Sequence, residues 1–253
     1  MINKTHGSLF SGIGGFDLGA LRAGFTNVYS VEKDRYCNDY LKEHFTHERQ
    51  FYDINGLTGV PYTTVISAGS PCQDISVAKN DGSNAGVFGV QSQLIWEAIR
   101  IVDEVRPYFF VLENSNSILK RGFHFVLAAF AKIGYICEWM CLRASDFGYP
   151  HKRERLYLIV YPISIGLEGM VFQPIETIRL LSEWTPTEAY LRCTKRRLEL
   201  DRDCEFICPH DGFPDAKRKI RGYGNAVMPP ITEYLFRCIG QAIDYMNNNL
   251  KGF

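Results

Sequence analysis

The sequence predicts an α/β fold in which helices cover both faces of a mostly parallel sheet. Short apolar runs alternate with longer segments of helical periodicity through residue 161. Glycine or acidic residues directly follow several of the apolar runs, as is typical where parallel strands end at a ligand site. The 253 residues are enough for one large domain with a small addition, and no apolar run is long enough to predict a membrane span.

The first unit is a strand–turn–helix–strand arrangement typical of nucleotide binding. A short apolar run precedes the glycine-rich turn Ser11–Gly15, and a helical pattern follows it. A second strand over Val28–Val31 ends in Glu32, at the interval where an acid holds ribose hydroxyls. Asp17 stands where the dinucleotide pattern has its third glycine, so the turn suits another nucleoside ligand better than a pyrophosphate. The alternative to a nucleoside site is a tight strand-to-helix turn that binds no ligand.

Later segments continue the alternation of strands and helices. We predict helices over 35–45, 94–105, 118–133 and 231–246 and strands over 51–54, 65–68, 108–112, 135–142 and 155–161. Residues 78–89 are rich in glycine, asparagine, aspartate and serine, which favours a long polar loop that closes over substrate.

The stretch VISAGSPCQDIS, residues 65–76, places Cys72 directly after a buried strand. The Gly-Ser-Pro sequence ends that strand, so the cysteine lies at the carboxyl edge of the sheet, where ligands bind in open α/β folds. Thiolates near turns and helix starts have depressed pKa values, although a buried, inert cysteine is the common alternative. Glu113 and Asn114 follow another apolar strand and reach the same edge.

Charge and cysteine content restrict the function less strongly. The net charge is zero, but basic clusters at 152–155, 195–197 and 217–221 are a modest indication of a polyanion-binding face. The N-terminal sequence has no signal-peptide pattern, so we expect a cytoplasmic protein. The eight cysteines are therefore expected to be reduced thiols rather than disulfides. A candidate zinc site is formed by Cys193, Cys204, Cys208 and His210. Its C-x3-C spacing is not standard, so we predict no metal.

Six motifs make the chain similar, from end to end, to the DNA (cytosine-5)-methyltransferases. In order, they are Leu9–Phe16, the acids Glu32 and Asp53, Ser70–Gln73, Glu113-Asn114, Phe147–Arg155 and Gly224–Val227. The resemblance implies a class I S-adenosylmethionine-dependent methyltransferase fold. This fold is Rossmann-like, with a mostly parallel seven-stranded sheet that contains an antiparallel strand.

The resemblance also implies a reaction and its residues. A methyl group moves from S-adenosylmethionine to C5 of a cytosine flipped out of double-stranded DNA, leaving S-adenosylhomocysteine. The implied catalytic residues are Cys72, Glu113, Arg153 and Arg155. The implied cofactor contacts are Phe10, Ser11, Gly12, Ile13, Gly14, Gly15, Glu32, Asp53, Ile54, Pro71, Asn225 and Ala226. The implied substrate contacts are Gln73, Asn114, Lys152, Lys195, Arg196 and Arg197.

Three positions depart from the family pattern. Ser115 replaces the usual valine, His151 the usual glutamine, and an expected arginine near Gln91 is missing. Since the nucleophile and acid are present, we expect these departures to affect rate and loop closure rather than the reaction.

The expected organisation is a catalytic and cofactor-binding part over 1–161, a short target-recognition region over 162–221 and a returning segment over 222–253. So short a recognition region predicts a short DNA site or help from a second chain, and a cognate restriction endonuclease is another candidate partner. A bacterial or phage-type cytoplasmic protein is expected. The alternatives are a catalytically silent DNA-binding subunit, an RNA cytosine-5 methyltransferase and, least favoured, a dinucleotide oxidoreductase.

Overall fold

The computed structural model describes residues 1–71, 86–88, 94–147, 153–167, 169, 171–172 and 227–249. The strands are β1 (Thr5–Leu9), β2 (Thr26–Val31), β3 (Arg49–Phe51), β4 (Val65–Gly69), β5 (Phe109–Ser115), β6 (Tyr135–Arg143) and β7 (Glu154–Pro162). The α-helices are α1 (Gly15–Arg22), α2 (Arg35–His44), α3 (Leu94–Val105), α4 (Phe123–Lys132) and α5 (Pro229–Asn249). Short 3₁₀ turns lie at Gly86–Phe88, Asn116–Lys120, Ala144–Phe147 and Ile163–Ile165. None of the helices described is long and apolar enough to cross a membrane.

The strands form one sheet in the order β3-β2-β1-β4-β5-β7-β6. Strands β1 to β5 pair in parallel, whereas β7 runs antiparallel to both β5 and β6. The predicted mostly parallel sheet with an antiparallel strand is therefore confirmed. The strand order reverses between β1 and β4, which makes the carboxyl ends of these two strands the topological switch point where ligands bind.

Helices cover both faces of the sheet, so the central strands are apolar on both sides. On one face, α3 and α4 bury side chains such as Ile101, Val102 and Phe130. On the other face, α1 and α5 pack around Phe16 and Phe236. Helix α2 begins at Asp34, whose carboxylate accepts a hydrogen bond from the Cys37 backbone N–H at 3.1 Å.

Helix α3 coincides with the prediction, but two other elements differ from it. The predicted helix 118–133 is a 3₁₀ turn and a separate α4, divided at Gly122, which adopts a left-handed φ of 106°. A Cβ at Gly122 would lie 2.5 Å from Val87 Cγ2, so a close contact with another segment decides this break. The predicted strand 51–54 lies at 49–51, so Asp53 follows β3 rather than ending it. Of the predicted loop 78–89, residues 86–88 form a 3₁₀ turn and the rest lies outside the described residues.

A buried polar layer joins β1, β2 and β4 beneath α1. Asn27 donates a hydrogen bond through Nδ2 to the Asp17 backbone oxygen at 3.0 Å, so its Oδ1 faces His6 Nδ1 at 2.7 Å. His6 therefore carries its proton on Nδ1 and accepts through Nε2 from the Ser67 hydroxyl at 2.8 Å. Burial lowers the pKa of His6, which favours this neutral form. At the other end of the layer, His47 Nε2 lies 2.8 Å from Asp17 Oδ1.

Helices α1 and α5 approach so closely that glycine is required between them. A Cβ at Gly19 would overlap Thr232 Oγ1 and lie 2.7 Å from the Glu233 backbone nitrogen. The Thr232 hydroxyl donates to the Gly15 carbonyl at 2.9 Å, which fixes the two helices in register. This contact joins α5, the last described helix, to the N-terminal end of α1.

We predict that Gly19→Ala destabilises the protein by about 1–3 kcal/mol, because the added methyl group overpacks this contact. The matched control is Gly240→Ala within α5, where the nearest atoms would be 3.5 Å away. Alanine loses less conformational entropy on folding than glycine does. The control should therefore be neutral or should stabilise the protein by about 0.5–1 kcal/mol. Denaturant unfolding measures both variants, and equal effects would contradict the packing argument.

Candidate active site

The strand register brings the described candidate residues to the carboxyl edge of the sheet. Leu9 of β1 pairs with Ala68 of β4, and Gly69 pairs with Glu113 of β5. Ser115 pairs in turn with Arg155 at the start of β7. The glycine-rich turn and Pro71 therefore follow the ends of β1 and β4, while Glu113 near the end of β5 and Arg155 near the start of β7 lie at the same edge.

Several candidates lie outside the described residues. They are Cys72, Gln73, Lys152, Lys195, Arg196, Arg197, Asn225 and Ala226, together with the zinc candidates Cys193, Cys204, Cys208 and His210. Cys72 directly follows Pro71, the last described residue after β4.

The turn between β1 and α1 has an unusual backbone. Phe10 adopts a φ of 54° and Gly12 a φ of 57°, both in the left-handed region. The Ser11 N–H donates to the Val31 carbonyl at 3.1 Å, and the Gly14 N–H donates to the Ser11 carbonyl at 2.9 Å. A Cβ at Gly12 would meet no atom of the described residues within 4 Å, so within that part of the chain open space borders this turn. A compact turn beside open space is a suitable cradle for a nucleoside.

Glu32 is hydrogen-bonded directly to this turn. Its Oε2 accepts from the Gly12 N–H at 2.7 Å, and its Oε1 accepts from the Asp34 N–H at 2.7 Å. Burial raises the pKa of Glu32, and the two backbone N–H groups partly oppose that shift. Each carboxylate oxygen can accept a second hydrogen bond, so Glu32 retains acceptors for ribose hydroxyls. The described residues fit S-adenosylmethionine on this criterion.

Asp53 has different surroundings from Glu32. Lys33 Nζ lies 2.8 Å from Asp53 Oδ2, and the Asn55 backbone N–H donates to Oδ1 at 3.0 Å. The hydrogen bond from Lys33 lowers the pKa of Asp53. Ile54 is buried beside it. An amino group of a ligand that bound Asp53 would therefore share this carboxylate with Lys33 and Asn55.

Glu113 is a buried carboxyl group that faces positive charge. Its Oε1 lies 3.2 Å from Arg155 Nε, but the geometry is not that of a hydrogen bond, and Oε1 has no hydrogen-bond partner among the described residues. Burial raises the pKa of Glu113, whereas the Arg155 and Arg153 guanidinium groups oppose this effect. Tyr157 pairs with Glu113 across the two strands and is itself buried. The site therefore holds a buried carboxyl group with a raised pKa and an oxygen available to a ligand.

Asn114 connects the ends of β4 and β5. Its Nδ2 donates to Ser70 Oγ at 2.8 Å, and its Oδ1 accepts from the Ser115 N–H at 2.7 Å. The segment that leads into Cys72 is thereby held against the segment that carries Glu113. A substrate contact by Asn114 remains a prediction.

Two residues help to form this edge: Val227, the last residue of the Gly224–Val227 motif, and Tyr157, to which the sequence analysis gave no role. The Val227 backbone oxygen occupies the position that a Cβ on Gly15 would need, and its Cγ2 would lie 3.2 Å from a Cβ on Gly69. Val227 therefore packs against both the cofactor turn and the end of β4. The second is Tyr157, which period-two alternation from Arg155 would have placed on the Glu113 face.

The described thiols do not resemble nucleophiles. Cys37, Cys137, Cys141 and Cys238 form no disulfide among the described residues. Burial raises the pKa of Cys137 to about 12, and burial also raises the pKa of Cys141. A reactive cysteine requires the opposite shift.

Comparison with known proteins decides the family. Residues 5–176 match the model for the C-5 cytosine-specific DNA methylases. The chain belongs to this family. The predicted resemblance is therefore confirmed, and the methyl donor of the family is S-adenosylmethionine.

Curated relatives agree with this assignment. The chain is 34% identical over 203 residues to the type II methyltransferase M.NgoBI of Neisseria gonorrhoeae, covering 78% of this chain and 58% of the relative. It is 33% identical over 157 residues to M.HaeII of Haemophilus aegyptius, covering 60% and 48%. The chain thus spans about half the length of the curated relatives it matches.

Solved structures share the fold. A prophage-encoded Escherichia coli protein described as a DNA modification methyltransferase superposes with a TM-score of 0.63 at 19% identity, covering 95% of this chain and 99% of that one. The Dnmt2 methyltransferase of Schizosaccharomyces pombe gives a TM-score of 0.50 at 18% identity, covering 63% and 49%. At these identities the likeness supports the fold alone.

We predict that Glu113→Gln stabilises the protein more at pH 8 than at pH 5. A carboxyl whose pKa is raised in the folded state contributes stability that is lost as pH rises above its unfolded pKa, and glutamine removes that loss. Melting temperatures at the two pH values measure the effect, with Glu48→Gln as the exposed control. An equal change at both pH values would contradict a raised pKa of Glu113, and a less favourable change at pH 8 would show that the lost Arg155 pairing outweighs the burial cost.

Proposed function

We propose that the chain is a DNA (cytosine-5)-methyltransferase that acts on a flipped-out cytosine in double-stranded DNA. The observation that carries this proposal is the buried Glu113, which faces Arg155 at the sheet edge where β4 leads into Cys72. A carboxyl kept neutral by burial can donate a hydrogen bond to a base. Membership of the methylase family supports the reaction class.

The chemistry explains why a thiol and an acid are both needed. Cytosine C5 is a weak nucleophile and does not attack a methyl donor directly. The Cys72 thiolate adds to C6 through a new S–C6 bond, which moves electron density onto C5 and N3. Glu113 donates a proton or hydrogen bond at N3, and Arg155 offsets the charge nearby. After C5 is methylated, a base removes its proton and the thiolate leaves, which restores the ring.

The described residues would hold the cofactor on the other side of the switch point. S-adenosylmethionine supplies an electrophilic methyl group on a sulfonium and needs no metal. Residues 10–15 would lie against the nucleoside, Glu32 would accept from the ribose hydroxyls, and Asp53 with Ile54 would contact the adenine. Pro71, Asn225 and Ala226 complete the proposed set.

DNA contacts and organisation are part of the same proposal. Arg153 and Arg155 would position the base and its phosphates, whereas Gln73, Asn114, Lys152 and 195–197 would contact substrate.

The proposed parts of the chain are residues 1–161, 162–221 and 222–253. Further proposals are a second chain or a cognate endonuclease as partner and a cytoplasmic location, since M.NgoBI and M.HaeII are bacterial type II methyltransferases.

We predict that Cys72→Ala abolishes methyl transfer from tritiated S-adenosylmethionine to mixed-sequence DNA. It should also abolish the covalent adduct with a 5-fluorocytosine duplex, because that adduct forms at the nucleophile. The matched control is Cys141→Ala, which removes an exposed thiol and should retain both signals. Denaturing gels and scintillation counting measure the two readouts. Full activity in Cys72→Ala would overturn the covalent mechanism, whereas an inactive wild-type chain that binds cofactor would indicate a silent subunit.

We predict that Glu32→Gln weakens binding of S-adenosylhomocysteine by about 10–100-fold, the usual range for losing a charged hydrogen-bond acceptor. The amide would also have only one acceptor oxygen for the turn and the ribose. Titration calorimetry measures the dissociation constant, with Asp39→Asn on the exposed face of α2 as control. An unchanged constant in Glu32→Gln would refute the proposed ribose contact.

A further inference from the structure

Most described lysine and arginine side chains are neutralised locally. Lys4 lies 2.9 Å from Asp244, Arg143 lies 2.7 Å from Glu154, and Arg100 lies 3.2 Å from Glu104. The chain as a whole has zero net charge. Attraction to a polyanion must therefore come from cations that no nearby carboxylate neutralises.

Lys120 and Arg121 are two adjacent cations of this kind. Within the described part of the chain, no carboxylate lies within 4.0 Å of either side chain. The sequence over residues 114–137 contains neither aspartate nor glutamate. Lys120 is exposed and Arg121 is half-buried, so both are accessible to a ligand.

Their position in the fold separates these two residues from the other unpaired cations. They follow β5 and precede α4, which places them at the carboxyl edge together with Glu113. Lys42, Arg49 and Lys132 also lack a carboxylate partner among the described residues. Since these three lie near the end of α2, at the start of β3 and at the end of α4, they occupy the opposite edge.

The turn that carries Lys120 and Arg121 is fixed to the active site. Asn116 Nδ2 donates to Glu154 Oε2 at 2.7 Å, which ties the turn to the strand that carries Arg155. The Arg121 carbonyl accepts from the Val87 N–H at 3.1 Å, and Ile118 is fully buried. The backbone is therefore held in place while the two charged side chains reach outward.

We propose that Lys120 and Arg121 bind backbone phosphates of substrate DNA that flanks the target cytosine. The inference rests on the proposed function and assigns it a DNA-contacting surface on the β5–α4 turn. Arginine presents a fork of donors that matches a phosphate, and lysine adds a point charge. Contacts of this type fix the orientation of the duplex over Glu113 without reading its sequence.

The test measures binding of the full chain to a fluorescently labelled mixed-sequence duplex at several salt concentrations. The double variant Lys120→Ala/Arg121→Ala is compared with the control Lys42→Ala/Lys132→Ala from the opposite edge. Two lost phosphate contacts should reduce the slope of log affinity against log salt by about 1.8, and should weaken binding roughly 10–100-fold near 0.1 M salt. The control should keep the wild-type slope. Affinity for S-adenosylhomocysteine, measured in parallel, should be unchanged in both variants.

An unchanged slope in Lys120→Ala/Arg121→Ala, or an equal loss in the control, would overturn this surface while leaving the methyltransferase proposal intact. Absence of DNA binding by the wild-type chain at every salt concentration would overturn both. DNA binding with the expected slopes but without methyl transfer would support the surface and count against the proposed reaction.

Discussion

The pairing of β4 with β5 is the constraint on which the proposed chemistry depends. Register places Gly69 opposite Glu113, and Asn114 holds Ser70 through a buried hydrogen bond. The segment entering Cys72 and the buried acid are therefore fixed by backbone pairing rather than by a flexible loop. Parallel strands direct all their carboxyl ends to one edge, so the same rule places the cofactor turn after β1 beside them.

The edge is completed by residues far away in sequence. Thr232 bonds to the Gly15 carbonyl, and Val227 fills space beside Gly15 and Gly69. Gly15 and Gly19 permit this approach only because they lack side chains. Closure of the site thus depends on the last described helix docking on the first, a contact between residues more than two hundred positions apart.

Much of the fold could be predicted from the sequence, because the spacing of apolar residues indicates which side chains are buried. Helix α3 was predicted at its observed bounds, since its apolar residues recur at helical spacing on one face. The break at Gly122 was missed because Val87, a distant residue, determines it. Motif spacing predicted Glu32 and Glu113. It did not predict the Asn114–Ser70 bond or the engagement of Asp53 by Lys33, because these depend on how separate elements meet.

Several features that conflict with simple stability lie at the carboxyl edge, although Arg106 at the opposite edge also adopts a left-handed φ of 56°. Phe10 adopts a left-handed φ at a cost of about 1–2 kcal/mol, and Glu32 and Glu113 are acids whose pKa values burial raises. A site of this kind persists only because surrounding packing holds it, here the paired strands beneath it and α5 beside it. The same packing keeps Glu113 away from bulk water and raises its pKa, which suits the proposed role of this acid as a proton or hydrogen-bond donor.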